Sequence, residues 1–211
     1  LDSDADVIVL ELSSFQLEHS KNLPLAQSVI LNVTADHLDH HGSLPNYVAA
    51  KKKILAGARS WIYSREDENT QGGDLPGVAS FGFSKPNSQE AWGLARHKQQ
   101  EWIFKAALPI CPSASLPLKG RHNALNCMAA MALVEPWVEP SVVADYLCDF
   151  QGLEHRFQTV TEIAGVTFVN DSKATNVGST MAALDGLKRA DNIVLIAGGD
   201  AKGADLGPLA D

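Results

Sequence analysis

Short apolar runs rich in β-branched residues alternate with segments of helical periodicity along the first part of the chain. The runs are DVIVLEL at 6–12, AQSVILNV at 26–33 and RSWIYS at 59–64. Such nearly continuous apolar strands are typical of a sheet that is buried on both faces. Helical patterns cover 43–57 and 120–135. The alternation predicts an α/β fold with a mainly parallel sheet flanked by helices.

The pattern changes between residues 74 and 118, where brief strand-like segments are interrupted by Gly, Pro and Asn. The segments read GVASFGF, AWGLAR and EWIFKAA. They predict a small antiparallel meander attached to the α/β core. After Pro136 and Pro140, which punctuate the chain, we predict a further helix over 140–149.

The segment FQGLEHRF at 150–157 is predicted to be a hinge, because the pattern of elements restarts after it. The new unit contains the run FQTVTEIA, a turn at Gly165 and the run VTFVND. A helix over about 175–188 and the run NIVLIAGG follow. This order predicts a second unit in which strands and a helix alternate.

We therefore predict a domain boundary near residue 152. Residues 1–151 would form one domain and residues 152–211 the beginning of another. The chain opens on Leu1, shortly before an apolar run, and closes shortly after another such run. We accordingly expect a piece of a larger protein.

Composition and charge narrow the class of protein. The 211 residues carry a net charge of −8 with a pI near 5.3, which gives no sign of a nucleic-acid or acidic-membrane partner. No apolar run approaches the length of a membrane span, and no signal peptide is visible. Cys111, Cys127 and Cys148 stand far apart and are interpreted as buried thiols in a reducing cytosol.

Residues 31–57 gather acids, imidazoles and amines. Ser43 is a plausible N-cap for the helix that follows, on which Tyr47, Lys51 and Ile54 form one stripe. An ammonium group on an apolar stripe is costly unless it is paired, ligated or neutral. Lys51 either keeps its charge in water along the core, or is a nucleophile open to modification. Spacing alone favours the first alternative.

Acids and histidines follow the predicted parallel strands, whose carboxyl ends are where open α/β sheets bind ligands. Glu11 ends the first run, and His37 comes just after the second. Oxygen ligands with one imidazole suit a hard cation such as Mg²⁺. Zinc competes, because His37, His40 and His41 are close in sequence, but the thiols are elsewhere. We interpret His40 and His41 as solvated loop residues. For Glu11 and His37, composition does not decide between a metal ligand and a residue without such a role.

Two other segments carry candidate binding residues. Asn123 and Asn126 lie one turn apart at the start of a predicted helix, where their amides could contact the edge of a base. Helix capping is the alternative, and it would explain one of the two asparagines.

The segments VNDSKATNVGST at 169–180 and IAGGDAKGAD at 196–205 both follow apolar runs. They suggest an anionic small substrate between Lys173 and Lys202, because helix N-termini and lysines attract anions. Glycine-rich turns with surface lysines are the alternative, which is stronger for Lys202. No G-x-x-x-x-G-K-[ST] phosphate loop occurs in the chain.

These motifs together resemble the Mur ligase family in chain order. The motifs are ELSSFQLE, LNVTADHLDHH, YVAAKKKI, GRHNALN, GLEHRF, NDSKATNVGST and GGDAKG. NDSKATN is similar to the branch of the family that adds D-glutamate, and the D-N-P-[RA] motif of the diaminopimelate-adding branch is missing. The resemblance implies the later part of a central ATPase domain and the start of a Rossmann-like C-terminal domain, with the phosphate loop located upstream.

The resemblance also implies a reaction. D-glutamate would be added to UDP-N-acetylmuramoyl-L-alanine in peptidoglycan precursor synthesis, driven by ATP through an acyl phosphate. The implied cofactors are ATP, two Mg²⁺ ions and a carbamylated Lys51. The implied full-length protein is a cytoplasmic monomer that takes small-molecule substrates.

Individual residues acquire roles by the same resemblance. The implied magnesium ligands are Glu11, His37 and carbamylated Lys51, and the implied catalytic residues are His37, Lys51 and Lys173. The implied ATP contacts are Asn123, Asn126, Arg156 and Asp171. The implied substrate contacts are Lys173, Thr175 and Lys202 for D-glutamate, and Ser13 and Gln16 for the muramoyl side.

Two alternatives remain from the sequence. One is another ligase of this type, such as a folylpolyglutamate synthase, against which NDSKATN and GGDAKG argue. The other is a nucleotide- or metal-binding module without catalysis. Because these residues hold no phosphate loop, we expect negligible ATP turnover from them in isolation.

Overall fold

A computed structural model describes residues 4–21, 23–72, 79–118, 120–187, 192–200 and 204–210. Their main feature is a six-stranded sheet whose strands lie in sequence order. The strands are β1 (Leu25–Ile30), β2 (Ala58–Ser64), β3 (Ala79–Phe81), β4 (Ala91–His97), β5 (Gln100–Lys105) and β6 (Leu108–Pro112). β1 to β4 pair in parallel, and β4 to β6 pair antiparallel. The predicted α/β fold is confirmed.

Helices connect and cover the strands. They are α1 (Ser14–His19), α2 (Leu38–His41), α3 (Leu44–Lys52), α4 (Arg121–Val134), α5 (Pro140–Asp149) and α6 (Val177–Gly186). α3 is continued by a 3₁₀ turn, Lys53–Leu55, and so ends earlier than the predicted 43–57. None of the described helices combines the length and apolar character that crossing a bilayer would require.

Both faces of the sheet are covered, as the apolar runs predict. Successive residues of a strand point to opposite faces, and β2 shows this directly. Trp61 packs with Tyr47 and Leu55 on the α3 side. Ile62 packs in the larger cluster that includes Met128 of α4. The sheet therefore fixes α3 on one face and α4 on the other.

The meander is an extension of the main sheet. β4, β5 and β6 form it. The segment GVASFGF, which was predicted to belong to the meander, supplies β3 instead, and β3 pairs in parallel with both β2 and β4. β6 was not among the predicted strands. Its sequence LPICP is short and holds two prolines, which are confined to edges and irregular positions of sheets.

The second unit begins with a hairpin of β7 (Gln158–Ile163) and β8 (Val166–Asn170). Ala164 and Gly165, at φ 51° and 78°, make the left-handed turn that such hairpins favour. The predicted turn at Gly165 is confirmed, and α6 follows close to the predicted range. The boundary near residue 152 stays a prediction.

Two predicted strands are wrong. Residues 6–12 and 192–199 belong to neither described sheet, and their apolar side chains are largely exposed, with Val9 at 68% and Ile196 at 92%. An apolar run supplies the side chains of a buried strand, but a strand also needs a neighbour for its backbone hydrogen bonds. Among the described residues, none provides that neighbour.

The cysteines agree in part with their predicted role as buried thiols. Cys111 and Cys127 are buried and Cys148 is half-buried, all as free thiols. Burial raises the pKa of Cys111 to about 12 and that of Cys127 to about 11. These two thiols are therefore protonated and unreactive at neutral pH.

Candidate active site

The loop after β1 places His37 in an unusual backbone conformation. His37 precedes α2 with φ 52° and ψ 33°, in the left-handed region that few residues other than glycine adopt. Its backbone N–H donates to Asp36 Oδ1 over 2.9 Å, and Nε2 lies 3.9 Å from the same oxygen. Asp36 therefore fixes the backbone of His37 and lies beside its ring.

A cavity of about 340 Å³ opens where this loop meets α1 and α3. Segments that are distant in sequence line it. Its lining residues are Glu11, Leu12, Ser13, Ser14, Phe15, Gln16, His37, Tyr47 and Lys51. All three predicted metal ligands, Glu11, His37 and Lys51, border this one space, although Glu11 does not end a paired strand.

Lys51 is half-buried on α3, and its Nζ lies 4.9 Å from the centre of the Tyr47 ring. Ser43 caps α3 as predicted, since its side chain accepts from the N–H of Asn46 over 3.4 Å. Burial lowers the pKa of Lys51, while the charges of Asp36 and Glu11 act in the opposite direction. The amine therefore lies closer to its neutral form than a solvated lysine does.

Tyr47 completes this wall of the cavity. It is 7% exposed and packs with Ile30, Val33 and Trp61. Burial raises the pKa of Tyr47, and the charge of Asp36 raises it further. The phenol is therefore neutral at physiological pH and offers its ring face to the Lys51 ammonium.

Ser13 and Gln16 already bind each other. Ser13 Oγ accepts from the Gln16 N–H over 3.2 Å, and Gln16 Oε1 accepts from the Ser13 N–H over 2.8 Å. This reciprocal capping box fixes the start of α1. The pair therefore shapes the cavity rim through its backbone position, whatever further contact it makes.

The interpretation of His41 as a solvated loop residue is wrong. His41 is 6% exposed, its Nε2 lies 3.0 Å from Ser14 Oγ, and its Nδ1 lies 3.2 Å from Glu18 Oε1. His40 is exposed as expected, but its Nε2 lies 2.9 Å from Glu18 Oε2. The short α2 turns both rings toward α1, which sequence spacing alone did not indicate.

Asn123 and Asn126 lie one turn apart on the first part of α4. Asn126 Nδ2 is 3.4 Å from Asn123 Oδ1, so that the two amides face the same side. The N-cap is Gly120, at φ 98°, so that neither asparagine occupies the N-cap position. Both amides are half-buried at the helix surface.

The hinge and the turn after β8 are bound to each other. The Phe157 N–H donates to Asp171 Oδ1 over 3.0 Å, and the Lys173 N–H donates to the carbonyl of His155 over 3.1 Å. Arg156, which lies between His155 and Phe157, is exposed. Lys173 and Thr175 are also exposed and lie in the turn before α6.

One hydrogen bond and one electrostatic interaction connect these groups of residues. Asn176, the N-cap of α6, donates from Nδ2 to Asp36 Oδ2 over 3.0 Å, beside the loop that carries His37. His122, at the start of α4, is half-buried, and its lowered pKa arises from burial against an opposing contribution from Asp171. The turn after β8 therefore contacts the cavity loop through Asn176, and Asp171 lies close enough to His122 of α4 to influence its pKa.

Sequence patterns missed Asp36, Tyr47 and Asn176 as site residues. Tyr47 shares its helix stripe with Lys51, and Asp36 directly precedes His37, so that both had a local signal. Asn176 had none, because its partner is 140 residues away. Lys202, predicted to contact the substrate, lies outside the described residues.

Comparison with known proteins gives consistent matches along the whole chain. The family model described as the Mur ligase middle domain matches residues 1–134. The model described as the Mur ligase, glutamate ligase domain, matches residues 155–211.

Curated relatives are named UDP-N-acetylmuramoylalanine–D-glutamate ligase. That of Shewanella oneidensis is 45% identical over 100% of this chain and 47% of its own length. That of Methylobacillus flagellatus is 43% identical over 97% of this chain and 45% of its own length. The chain therefore spans about half the length of the curated relatives it matches.

Solved structures share the fold at low sequence identity. The UDP-N-acetylmuramate-alanine ligase of Thermotoga maritima aligns with a TM-score of 0.56 at 23% identity, over 83% of this chain and 40% of that chain. A pseudomurein peptide ligase type C of Methanothermus fervidus aligns with a TM-score of 0.60 at 16% identity, over 85% and 44%.

The Asn176 contact can be tested with a double-mutant cycle. In the present chain, the Ser179 N–H donates to Asn176 Oδ1 over 2.8 Å. Asn176→Asp keeps an oxygen that can accept this hydrogen bond and so keeps the helix cap. It also places a second carboxylate beside Asp36. We expect a loss of about 1–2 kcal/mol in the free energy of unfolding at neutral pH. Urea denaturation of the protein measures it.

The control is the same change in an Asp36→Asn background, where the new carboxylate meets an amide donor. The loss from Asn176→Asp should there become much smaller. Strictly additive effects of the two substitutions would show that these side chains do not interact.

Proposed function

The chain belongs to the Mur ligase family, and on that premise we propose that its full-length protein is an ATP-dependent ligase. The reaction joins D-glutamate to UDP-N-acetylmuramoyl-L-alanine. The names of the relatives at 39–45% identity support this substrate pair. The activity is that of the whole protein, since this chain spans about half of those relatives.

The observation that carries the proposal is the cavity shared by Glu11, His37 and Lys51. A carboxylate and an imidazole there fit a hard divalent cation, whereas a cationic lysine does not. A carbamylated Lys51 would resolve this conflict, since it offers anionic oxygens. Glu11, His37 and the carbamate are the residues that would hold two Mg²⁺ ions, which when bound neutralise charge on phosphate oxygens.

Carbamylation uses the properties of the Lys51 amine. The neutral amine adds to the carbon of CO₂. The C–N bond forms as one C=O π bond opens and its electron pair moves to oxygen, and one N–H proton leaves to solvent. Only the neutral form reacts, and burial lowers the pKa of Lys51. The reaction is thus favoured at Lys51 over a solvated lysine at the same pH, and the product carries a negative charge toward Glu11 and His37.

The nucleotide is assigned to the junction of the two units. Asn123 and Asn126 bind the adenine through their paired amides, Arg156 binds phosphate and Asp171 binds the ribose. The hydrogen bond from Phe157 supports the role of Asp171, because it fixes one oxygen of that carboxylate. Asn176 would hold the junction against the cavity loop through Asp36.

The proposed reaction proceeds in two steps. The alanyl carboxylate takes the γ-phosphoryl group of ATP and ADP leaves. The amine of D-glutamate then attacks the acyl carbon, phosphate leaves, and the amine loses a proton. Lys173, Thr175 and Lys202 hold the carboxylates of D-glutamate, and Ser13 and Gln16 border the muramoyl side. In this scheme the protein mainly positions reactants and compensates charge.

The setting follows from the substrates. Nucleotide-linked precursors and ATP place the protein in the cytoplasm, in peptidoglycan synthesis and hence in the maintenance of cell shape and division. Small molecules are its partners, and the full-length protein acts as a monomer.

Substrate choice tests the proposed reaction. Full-length protein is assayed for phosphate release with UDP-N-acetylmuramoyl-L-alanine, ATP and either enantiomer of glutamate. We expect kcat/KM for D-glutamate to exceed that for L-glutamate by roughly 100-fold or more, because the wrong enantiomer cannot meet the same carboxylate partners. Similar values for the two, or a preference for another amino acid, would refute the assignment.

Chemical rescue tests the role of Lys51. Lys51→Ala should lower kcat about 10²- to 10³-fold, which is typical for loss of a charge-stabilising group. Acetate or propionate should restore part of the activity by supplying a carboxylate in the emptied space. Lys52→Ala, the neighbouring control, should stay near wild type and show no response to these acids. If the acids restore nothing to Lys51→Ala, the carbamate role is wrong.

A further inference from the structure

Three side chains that bind metals elsewhere in proteins meet outside the cavity. Glu18, near the end of α1, faces His40 and His41 at the end of α2, and one ligand atom of each lies within 4.8 Å of the other two. The proposed ligase function uses none of these residues. Among the described residues, this is the group of His, Cys, Asp and Glu side chains close enough to hold one metal ion.

Each histidine of the cluster faces a different oxygen of the Glu18 carboxylate. His40 Nε2 lies 2.9 Å from Glu18 Oε2, and His41 Nδ1 lies 3.2 Å from Glu18 Oε1. The two rings are 4.8 Å apart and nearly perpendicular, at 88°. Both ring nitrogens thus aim at the two oxygens of one carboxylate.

A neighbouring side chain also holds the His41 ring in place. The His41 side chain is 1% exposed, and its second nitrogen, Nε2, lies 3.0 Å from Ser14 Oγ. A histidine ligand usually donates its other N–H to an oxygen, which fixes the ring and its tautomer. Ser14 can accept that proton from Nε2, and Nδ1 then presents its lone pair to Glu18. A metal ion held by Nδ1 and the Glu18 carboxylate would take the place of the proton on Nδ1.

The three ligands of the cluster do not line the cavity described above, although Ser14, which contacts His41, does. The Phe15 ring, which lines the cavity, lies 5.1 Å from the His37 ring and 4.6 Å from the His40 ring. The donor sets also differ, because two imidazoles and one carboxylate favour zinc and its neighbours over Mg²⁺, which prefers oxygen. Glu18 and His40 are partly exposed, at 30% and 46%, so that a water molecule can complete the coordination.

We propose that Glu18, His40 and His41 form a second metal site, which binds one divalent transition-metal ion of the zinc class. The ion ties the end of α1 to α2. Because Ser13 and Gln16 at the start of α1 border the cavity, the bound ion stiffens the cavity rim without contacting it. Lys53, whose Nζ donates to the Glu18 carbonyl over 3.1 Å, already joins the same end of α1 to the segment after α3.

Zinc titration of the purified, chelator-treated protein tests the proposal. Isothermal calorimetry in excess Mg²⁺ should give one Zn²⁺ per chain. His40→Gln keeps a polar side chain beside Glu18 but removes the imidazole, and it should weaken zinc binding by more than about 100-fold. Ser14→Ala, which leaves all three ligands in place, should weaken it by about 10-fold. Cobalt added in place of zinc should give visible absorption that His40→Gln abolishes.

The matched control is His19→Gln, at an exposed histidine on the same helix that lies outside the cluster. It should bind zinc like the wild type. Glu18→Gln is a second variant of the cluster, which should likewise weaken zinc binding and replaces His40→Gln if that variant does not fold. Equal weakening by His19→Gln would mean adventitious binding to surface histidines, and would overturn the proposal.

Two further outcomes would also overturn it. If His37→Gln abolishes zinc binding and His40→Gln does not, the ion occupies the cavity. If the wild type binds no zinc in excess Mg²⁺, the cluster is an ion-pair network only. Neither result bears on the ligase function, which the amino-acid preference tests independently.

Discussion

The half-buried amine of Lys51 is the constraint on which the candidate site depends. α3 holds it beside the Tyr47 ring, with Glu11 and Asp36 close enough to influence its pKa. A charge withdrawn from water must be paired, neutralised or changed chemically. The two carboxylates can pair with the charge of Lys51, and burial favours its neutral form. The cavity leaves room for a carbamate on its amine. A lysine on the opposite side of α3 would have none of these neighbours.

The sheet explains why such distant segments meet. Apolar side chains on both faces of β1 and β2 fix α3 on one side and α4 on the other. The loop after β1 is then short enough that Asp36 and His37 stand directly against α1 and α3. Asp36 contributes three times, since it orients His37, influences Lys51 and accepts from Asn176. The Asp36 carboxylate thus joins the cavity loop to the start of α6.

Local patterns predicted those elements whose stability is mainly local or decided by burial. β1, β2, α4 and α5 follow from apolar runs, periodicity and proline. The stripe shared with Tyr47 predicted that Lys51 lies along the core, whereas its role in the site came from the resemblance to the family. The runs at 6–12 and 192–199 show the limit, because strand pairing depends on neighbours that no local pattern contains. The burial of His41 was equally hidden, since Ser14 lies 27 residues away. The Asp36–Asn176 contact spans 140 residues and could only come from the fold.

The central claim is that Glu11, His37 and a carbamylated Lys51 share one divalent-ion cluster. Pulsed electron paramagnetic resonance of Mn²⁺ in the full-length protein, prepared with ¹³CO₂ and ATP, measures it most directly. We predict a ¹⁴N coupling that His37→Leu removes, and a ¹³C coupling that Lys51→Met removes. Manganese that couples to neither nucleus, or a ¹³C coupling that persists in Lys51→Met, would contradict the claim.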